Sequence, residues 1–210
     1  MQIREIRGGY LVWKLEIMRE IGEIVRLQIQ TDSLKRGERP YQIYSTDNIQ
    51  VVPALKLTAK GVVGLRGGLE QLDVHHADHP RTGYRGDNGI SLGFTAHYGR
   101  MRDRFGSHIT VGCAGENVIV ETAVPFTLDE LTAGLIIATA DGQEIRLEQV
   151  SVMLPCRPFS RFCLQAGDRA PAPVMKETLQ FLDNGMRGFA MVLRGDTAVI
   201  HPGDKLFLVD

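Results

Sequence analysis

Short runs of alternating apolar and polar residues recur along the chain and constrain its fold more than any other feature. They lie at residues 23–30, 51–57, 118–121, 143–154, 189–193, 198–200 and 206–208. Alternation of this kind predicts β-strands with one buried face. Asp141-Gly142 between two runs is typical of a hairpin turn. With 23 glycines available for tight turns, hairpin following hairpin favours closure, and the sequence predicts a mainly β, closed barrel of about eight strands.

Other segments carry helical patterns. Residues 94–105 place aromatic residues and a methionine on one face at intervals of three or four, as an amphipathic helix does. Residues 171–183 begin with prolines and end before Asn184-Gly185, which are typical start and stop signals. Thr127 to Glu130 has the capping-box pattern of a short helical turn. We therefore expect two or three peripheral helices.

A change of parity inside the run at residues 143–154 predicts an irregular strand. Its apolar positions are odd-numbered up to Leu147 and even-numbered from Val150 onward. A strand that keeps one face buried needs an extra residue to make this change. We expect a β-bulge near Glu148-Gln149, which would direct the strand end that precedes Cys156.

Composition narrows the class of protein. The 210 residues are enough for one well-buried core. A formal charge of −1 provides no overall field to attract nucleic acid or an anionic membrane. The start of the chain does not resemble a leader, and its longest apolar run, residues 134–140, is too short to span a bilayer. Three cysteines without a C-x-x-C pair favour reduced thiols. We expect a cytoplasmic protein that acts on a small molecule.

Cys156 is the candidate for chemistry. It follows a predicted strand and Pro155, and Arg157 and Arg161 come next, with positive charges that favour a thiolate. This setting is typical of a catalytic nucleophile or a soft-metal ligand. The alternative is a buried cysteine that acts as a small hydrophobic residue.

Two loops are candidate anion sites. Residues 60–68 are rich in glycine and include Arg66, so they could cradle an anion or form an ordinary turn. Residues 72–87 contain three histidines with Arg81 and Arg85. We interpret this second loop as anion-binding or substrate-facing, against the alternatives of a solvated loop or a zinc site. The H-H-x-x-H spacing lacks the helical frame of H-E-x-x-H.

The order of several motifs resembles the MOSC domain family. These motifs are G-E-N-V-I-V at 115–120, L-E-Q-V-S-V-M-L-P-C-R-P at 147–158, and the segment 186–208 from M-R-G-F to G-D-K-L-F-L. The family includes the C-terminal domain of molybdenum cofactor sulfurases, the mitochondrial amidoxime-reducing component and small bacterial proteins. The resemblance covers residues 23–210 as a single domain and leaves 1–22 as an N-terminal extension. It implies a barrel rich in Greek-key connections, like the β-barrel of pyruvate kinase.

The resemblance also implies a cofactor and a reaction. Cys156 would bind the metal of a pyranopterin molybdenum cofactor, and N- or S-oxygenated substrates would be reduced by oxygen-atom transfer with electrons from a donor protein. The expected cofactor-binding residues are Arg66, Arg81, Arg85, Asp87, Gly115, Glu116, Asn117, Arg157, Arg161 and Arg187. Many relatives have G-D-R-H where this chain has Gly64-Leu65-Arg66-Gly67, so His75, His76 or Asp87 would have to stand in.

Two alternatives remain open. The chain could be a sulfur carrier or cofactor-delivery module with a persulfide on Cys156. Because it is too short to include a pyridoxal-phosphate desulfurase domain, a separate cysteine desulfurase would then supply the sulfur. It could also be a β-barrel scaffold without chemistry. The resemblance favours cofactor binding over both.

Overall fold

A computed structural model of the chain describes residues 18–166 and 170–209. Its strands are β1 (Met18–Gln30), β2 (Lys35–Arg36), β3 (Ile43–Tyr44), β4 (Ile49–Val51), β5 (Ala54–Thr58), β6 (Gly61–Arg66), β7 (Leu69–Leu72), β8 (Ile90–Phe94), β9 (Val118–Glu121), β10 (Leu135–Ala138), β11 (Glu144–Val152), β12 (Phe189–Arg194), β13 (Ala198–Ile200) and β14 (Lys205–Val209). The helices are α1 (Thr95–Phe105), α2 (Leu128–Leu131), α3 (Arg157–Leu164) and α4 (Ala172–Leu182).

Seven strands form a closed ring in the order β14-β10-β11-β12-β8-β9-β1, and β1 pairs back onto β14. All ring pairs are antiparallel except β8 with β9, which are parallel. The predicted mainly β, closed barrel is therefore confirmed. The expected succession of hairpins is wrong at the C-terminus, because β12, β13 and β14 pair with strands far away in the sequence.

Bulges decide which side chains enter the barrel. In β1 the register shifts between Ile24 and Arg26, so Ile24, Leu27 and Ile29 are fully buried while Val25 is 42% exposed. The bulge predicted in β11 is confirmed, since its register against β12 shifts between Glu148 and Ser151. The Asp141-Gly142 hairpin and the capping box of Thr127 and Glu130 are also present.

The helices form a second apolar layer on the outside of the barrel. Ile119 of β9 is buried against this layer, whereas its neighbours Val118 and Val120 belong to the barrel core, as alternation requires. Tyr98 and Met101 of α1 and the side chains of α3 and α4 complete the layer. In α4, Val174 is 40% exposed and the next residue, Met175, is buried.

Two segments have a different secondary structure from the one expected. The glycine-rich segment is mostly strand: residues 61–66 are β6, paired with β5 and β7, and only Gly67-Gly68 form the turn. Helix α3 was not predicted from the sequence. Pro158 occupies the first turn of α3, where its missing N–H costs no hydrogen bond.

The barrel begins upstream of residue 23. Met18, Arg19, Glu20 and Gly22 pair with β14 as the first part of β1. The rest of the predicted extension, residues 1–17, lies outside the described residues. Within residues 18–166 and 170–209 no helix is long and apolar enough to cross a membrane.

Candidate functional site

A cleft of about 910 Å³ opens at one end of the barrel beside the start of α3. Three stretches of chain form its walls: residues 30–44, residues 74–91 and residues 151–154. Ala114, Arg187 and Ala190 close it on the inner side. Its size is within the range of small-molecule and cofactor sites, about 300–1,000 Å³. Of the predicted site residues, Arg81, Arg85, Asp87 and Arg187 line it directly.

Cys156 lies next to this cleft at the N-terminus of α3. Strand β11 ends at Val152, and Met153 N donates to Gly188 O (3.0 Å), which ties the following segment to the turn before β12. Cys156 is then the residue that caps α3, where the helix presents its positive end. The Cys156 side chain is half-buried, and its Sγ lies 3.7 Å from Arg187 Nη1.

Arg187 is a buried cation in the wall of the cleft. It is 7% exposed, and its guanidinium donates to Leu154 O (2.9 Å) and Ala114 O (3.4 Å). Its Cζ lies 4.6 Å from the centre of the Phe159 ring. Nε is buried without a hydrogen-bond partner in the structure. No described carboxylate lies within salt-bridge distance of Arg187, so its positive charge acts on Cys156, on the nearby buried Glu116 and on the cleft.

The outer rim of the cleft is also positive. Arg81 Nη1 bonds to Asp32 Oδ2 at 2.7 Å across the mouth. The guanidinium of Arg85 is exposed and has no partner among the described residues, and Lys35 and Arg39 are exposed on the facing wall. Asp87 is the acidic exception. The cleft therefore suits an anionic ligand.

The Gly115-Glu116-Asn117 turn lies behind the cleft wall. Asn117 is buried, and its amide bonds to Ser91 N, Ser91 Oγ, Gln28 O and Asp73 Oδ2 at 2.8–3.2 Å. The Gly115 carbonyl accepts from Gln30 Nε2 at 2.7 Å. These bonds use the whole hydrogen-bonding capacity of the Asn117 amide, so the turn supports the cleft from behind.

Glu116 is buried in the same turn. Its Oε2 accepts the hydroxyl hydrogen of Tyr98, whose oxygen in turn accepts from Ala114 N (3.2 Å). Burial raises the pKa of Glu116 from 4.5 to about 7, although the Tyr98 hydrogen bond acts in the opposite direction. Glu116 therefore contacts the cleft only indirectly, through Ala114.

The structure adds Asp73 to the site and places His75, one of the three residues expected to stand in for the G-D-R-H motif, beside it. Asp73 is fully buried; its Oδ2 accepts from Gln30 N (2.7 Å) and its Oδ1 from His75 N (2.8 Å). His75 lines the cleft, and its Nδ1 lies 3.1 Å from Asp73 Oδ1. The sequence signal for this pair was the spacing of Asp73 and His75, two positions apart directly after β7. It was overlooked because attention went to the three histidines of the loop as a possible metal site.

Three predicted residues lie elsewhere. Arg66 is exposed at the end of β6 and lines a separate cavity of about 310 Å³. Arg157 is exposed on α3, and Arg161 donates to Pro40 O (3.2 Å) outside the cleft. The histidines of the 72–87 loop also diverge: His76 lies near Thr58, and His79 Nδ1 accepts from Arg81 N. No group of three or more metal-ligating side chains occurs within the described part of the chain.

The other cysteines differ sharply from Cys156. Cys113 and Cys163 are buried in the helical layer. Burial raises the pKa of Cys163 to about 12 and that of Cys113 further. Only Cys156 is therefore placed to react or to bind a metal.

Solved structures share the fold of this chain. YuaD from Bacillus subtilis matches with a TM-score of 0.58 and 15% identity, over 91% of this chain and 97% of that one. A hypothetical protein matches with a TM-score of 0.50 and 16% identity, over 91% and 70%. YiiM from Escherichia coli gives 0.49 and 16%, over 90% and 70%. No protein-family model and no curated protein sequence matches. At such identities the likeness shows a common β-barrel fold with YuaD.

Proposed function

We propose that the cleft binds a pyranopterin molybdenum cofactor, with Cys156 as the sulfur ligand of the metal, and that the protein reduces N- or S-oxygenated small molecules. The observation that carries the proposal is Arg187, a buried guanidinium 3.7 Å from Cys156 Sγ with an unpartnered Nε. A buried cation without an ion pair is costly unless an anion approaches it. A thiolate and a cofactor phosphate are both such anions.

Cys156 meets the requirements of a soft-metal ligand. Thiolate sulfur suits soft metals better than oxygen ligands do. Cys156 is half-buried at the edge of the cleft, so a ligand can reach it while the neighbouring protein limits the access of water. The order of the P-C and G-E-N motifs, which resembles the MOSC family, supports the same assignment.

The rim supplies groups for the negatively charged part of the cofactor. The guanidinium of Arg85 has no partner among residues 18–166 and 170–209, and Arg81 uses one nitrogen on Asp32 and keeps others available. Arginine binds phosphate well because its planar fork donates several hydrogen bonds at once. Arg81 and Arg85 would hold the phosphate, and Arg187 would hold the part of the ligand nearest Cys156.

When bound, the cofactor would supply two-electron chemistry by oxygen-atom transfer. The protein has to position it and to keep the sulfur ligand in place. Arg187 performs the second task by linking Cys156 to Leu154 O and Ala114 O, which belong to two different walls. An electron-donor protein has to provide the electrons.

The decisive test is metal and pterin content. The full chain, made in a host that synthesises the cofactor, should carry molybdenum and pterin in a constant ratio to protein. Cys156→Ser and Arg187→Gln should lose both, whereas Cys163→Ser and Arg66→Gln, the matched controls outside the cleft, should retain them. Purified protein should then reduce an N-hydroxylated amidine with a chemical electron donor.

The same preparation distinguishes cofactor binding from the alternative of a sulfur carrier. Labile sulfane sulfur on Cys156 in the absence of molybdenum would overturn the proposal in favour of a sulfur carrier. No contact within the described residues favours that alternative over cofactor binding. Metal retained in Cys156→Ser would remove the cysteine from the site.

A further inference from the structure

We propose that His75 is the proton donor of the cleft and that Asp73 positions it. The reaction assigned to His75 rests on the proposed function. The geometry of the pair stands independently, because it involves only hydrogen bonds within the chain.

Asp73 is built to orient the imidazole. The carboxylate is fully buried and is itself fixed by Gln30 N and Asn117 Nδ2, at 2.7 and 2.9 Å. The other oxygen, Oδ1, accepts a hydrogen bond from the backbone N–H of His75 (2.8 Å). The same oxygen lies 3.1 Å from His75 Nδ1. A carboxylate only accepts hydrogen bonds, so Nδ1 carries the hydrogen. The backbone bond fixes the main chain of His75 at Asp73, and the Nδ1 bond orients the ring.

The opposite nitrogen is the one available to a ligand. With Nδ1 directed at Asp73, Nε2 has no partner among the described residues, and the side chain, 31% exposed, lines the cleft. Gly83 lies against this edge of the ring: a Cβ there would be 3.3 Å from Cδ2 and 3.6 Å from Nε2 of His75. Glycine at this position therefore leaves the nitrogen uncovered.

The arrangement matches what the reduction requires. Removing oxygen from an N-hydroxylated substrate breaks the N–O bond, consumes two electrons and two protons, and releases water. The electrons would come from an electron-donor protein by way of the cofactor. Protonated His75 gives its Nε2 proton to the substrate nitrogen as the N–O bond breaks. Solvent supplies the second proton, which leaves in the product water, and then reprotonates His75.

The charged groups around His75 come from both walls. They are Asp73 beneath the ring, Arg81, Arg85 and Asp87 from the same loop, and Lys35 and Arg39 from the facing wall. Asp73 is the charge in hydrogen-bond contact with the imidazole. Asp73 therefore fixes which ring nitrogen faces the cleft.

Two side-chain replacements separate proton donation from structure. His75→Asn keeps a donor close to the position of Nδ1, and so keeps the Asp73 contact, but removes Nε2. We expect kcat to fall about 100-fold, at the lower end of what general acids contribute, with molybdenum content unchanged. Added imidazole should restore part of the loss. The matched control, His79→Asn in the same loop, should keep wild-type kcat.

A measurement without cofactor tests the pair by itself. In histidine-labelled, cofactor-free protein, ¹⁵N NMR should show the neutral form of His75 with its hydrogen on Nδ1. Neutral His75 with its hydrogen on Nε2 would overturn the positioning by Asp73. Wild-type kcat in a molybdenum-loaded His75→Asn variant would overturn proton donation while leaving the proposed function intact. A wild-type protein that binds no molybdenum would overturn the proposed function, and the NMR result would still decide the pair.

Discussion

Two polar regions meet at the open end of the barrel, and they differ in whether their hydrogen bonds are complete. The polar hub consists of Gln28, Gln30, Asp73, Ser91 and Asn117, all buried and bonded to one another or to the backbone. The cleft rim consists of Lys35, Arg39, Arg81, Arg85 and Asp87, which are exposed and mostly without protein partners. Completed networks hold a structure in place, whereas incomplete ones remain available to a ligand. Substitutions should therefore cost stability in the hub and ligand binding at the rim.

The largest effect is expected in the hub. Asn117→Ala removes an amide that bonds to Asp73, Ser91 and Gln28 O and leaves those buried groups with missing partners. Each unsatisfied group costs roughly 1–3 kcal/mol, so the free energy of unfolding should fall by about 4 kcal/mol. Urea denaturation measures it.

Arg85→Ala is the rim control for this experiment. It removes an exposed side chain that contacts no partner in the described part of the chain, so the free energy of unfolding should stay within about 0.5 kcal/mol of wild type. An equal loss of stability in both variants would abolish the distinction between hub and rim.

Glu116 should make stability depend on pH. Burial raises its pKa from 4.5 to about 7, so between these values the folded state binds a proton that the unfolded state has released. Stability supplied by this group is then present below pH 4.5 and is lost as pH rises through 7, by about 3 kcal/mol in total. The Glu116→Gln side chain resembles the neutral form of the carboxyl and does not titrate. The free energy of unfolding of this variant, relative to that of the wild type, should therefore rise as the pH increases from 4.5 to 7. A constant difference between the two proteins from pH 4.5 to 7 would contradict the shift.

The sequence predicted the fold better than the site. Alternation and parity identified most ring strands and the β11 bulge, because burial of one strand face leaves a period of two in the sequence. Helix α3 was not predicted because a proline such as Pro158 interrupts a strand or the interior of a helix. In the first turn of a helix, where Pro158 lies, a proline is accepted. The pairing of β14 with β1 was not predicted because hydrogen bonds between strands that are distant in the chain leave no local pattern in the sequence.

The site depended on contacts that spacing alone does not encode. Cys156 was identified from its neighbours in the sequence, yet the guanidinium that contacts its sulfur belongs to Arg187, 31 positions away. Glu116 and Asn117 belong to a recognisable motif, but their burial and mutual bonding become visible only when β1, β8 and β9 are assembled. Sequence motifs located the end of the barrel and could not separate its supporting residues from its exposed ones.

The cysteines should reproduce the same contrast with smaller effects. Cys113→Ser places a hydroxyl in the apolar helical layer and should lower the free energy of unfolding by about 2 kcal/mol, whereas Cys156→Ser should change it by less than about 0.5. Alkylation of the folded, cofactor-free chain should modify Cys156 first, since burial raises the pKa values of the other two thiols. Mass spectrometry of partly alkylated protein measures the order. Faster modification of Cys113 would show that the helical layer opens readily.

The smallest effect is expected for the ion pair across the mouth of the cleft. Arg81 Nη1 and Asp32 Oδ2 lie 2.7 Å apart, but the side chains are 69% and 30% exposed. Water screens such a pair, and ordering two flexible side chains offsets much of the attraction, so a double-mutant cycle with Arg81→Ala and Asp32→Ala should give a coupling of about 0.5 kcal/mol. Added salt should reduce the coupling further. Because Asp32 competes with a ligand for Arg81, Asp32→Ala alone should strengthen the binding of inorganic phosphate while Arg81→Ala weakens it. A salt-independent coupling above about 2 kcal/mol would be typical of a buried pair, and Arg81 would then belong with the hub and not with the ligand-binding rim.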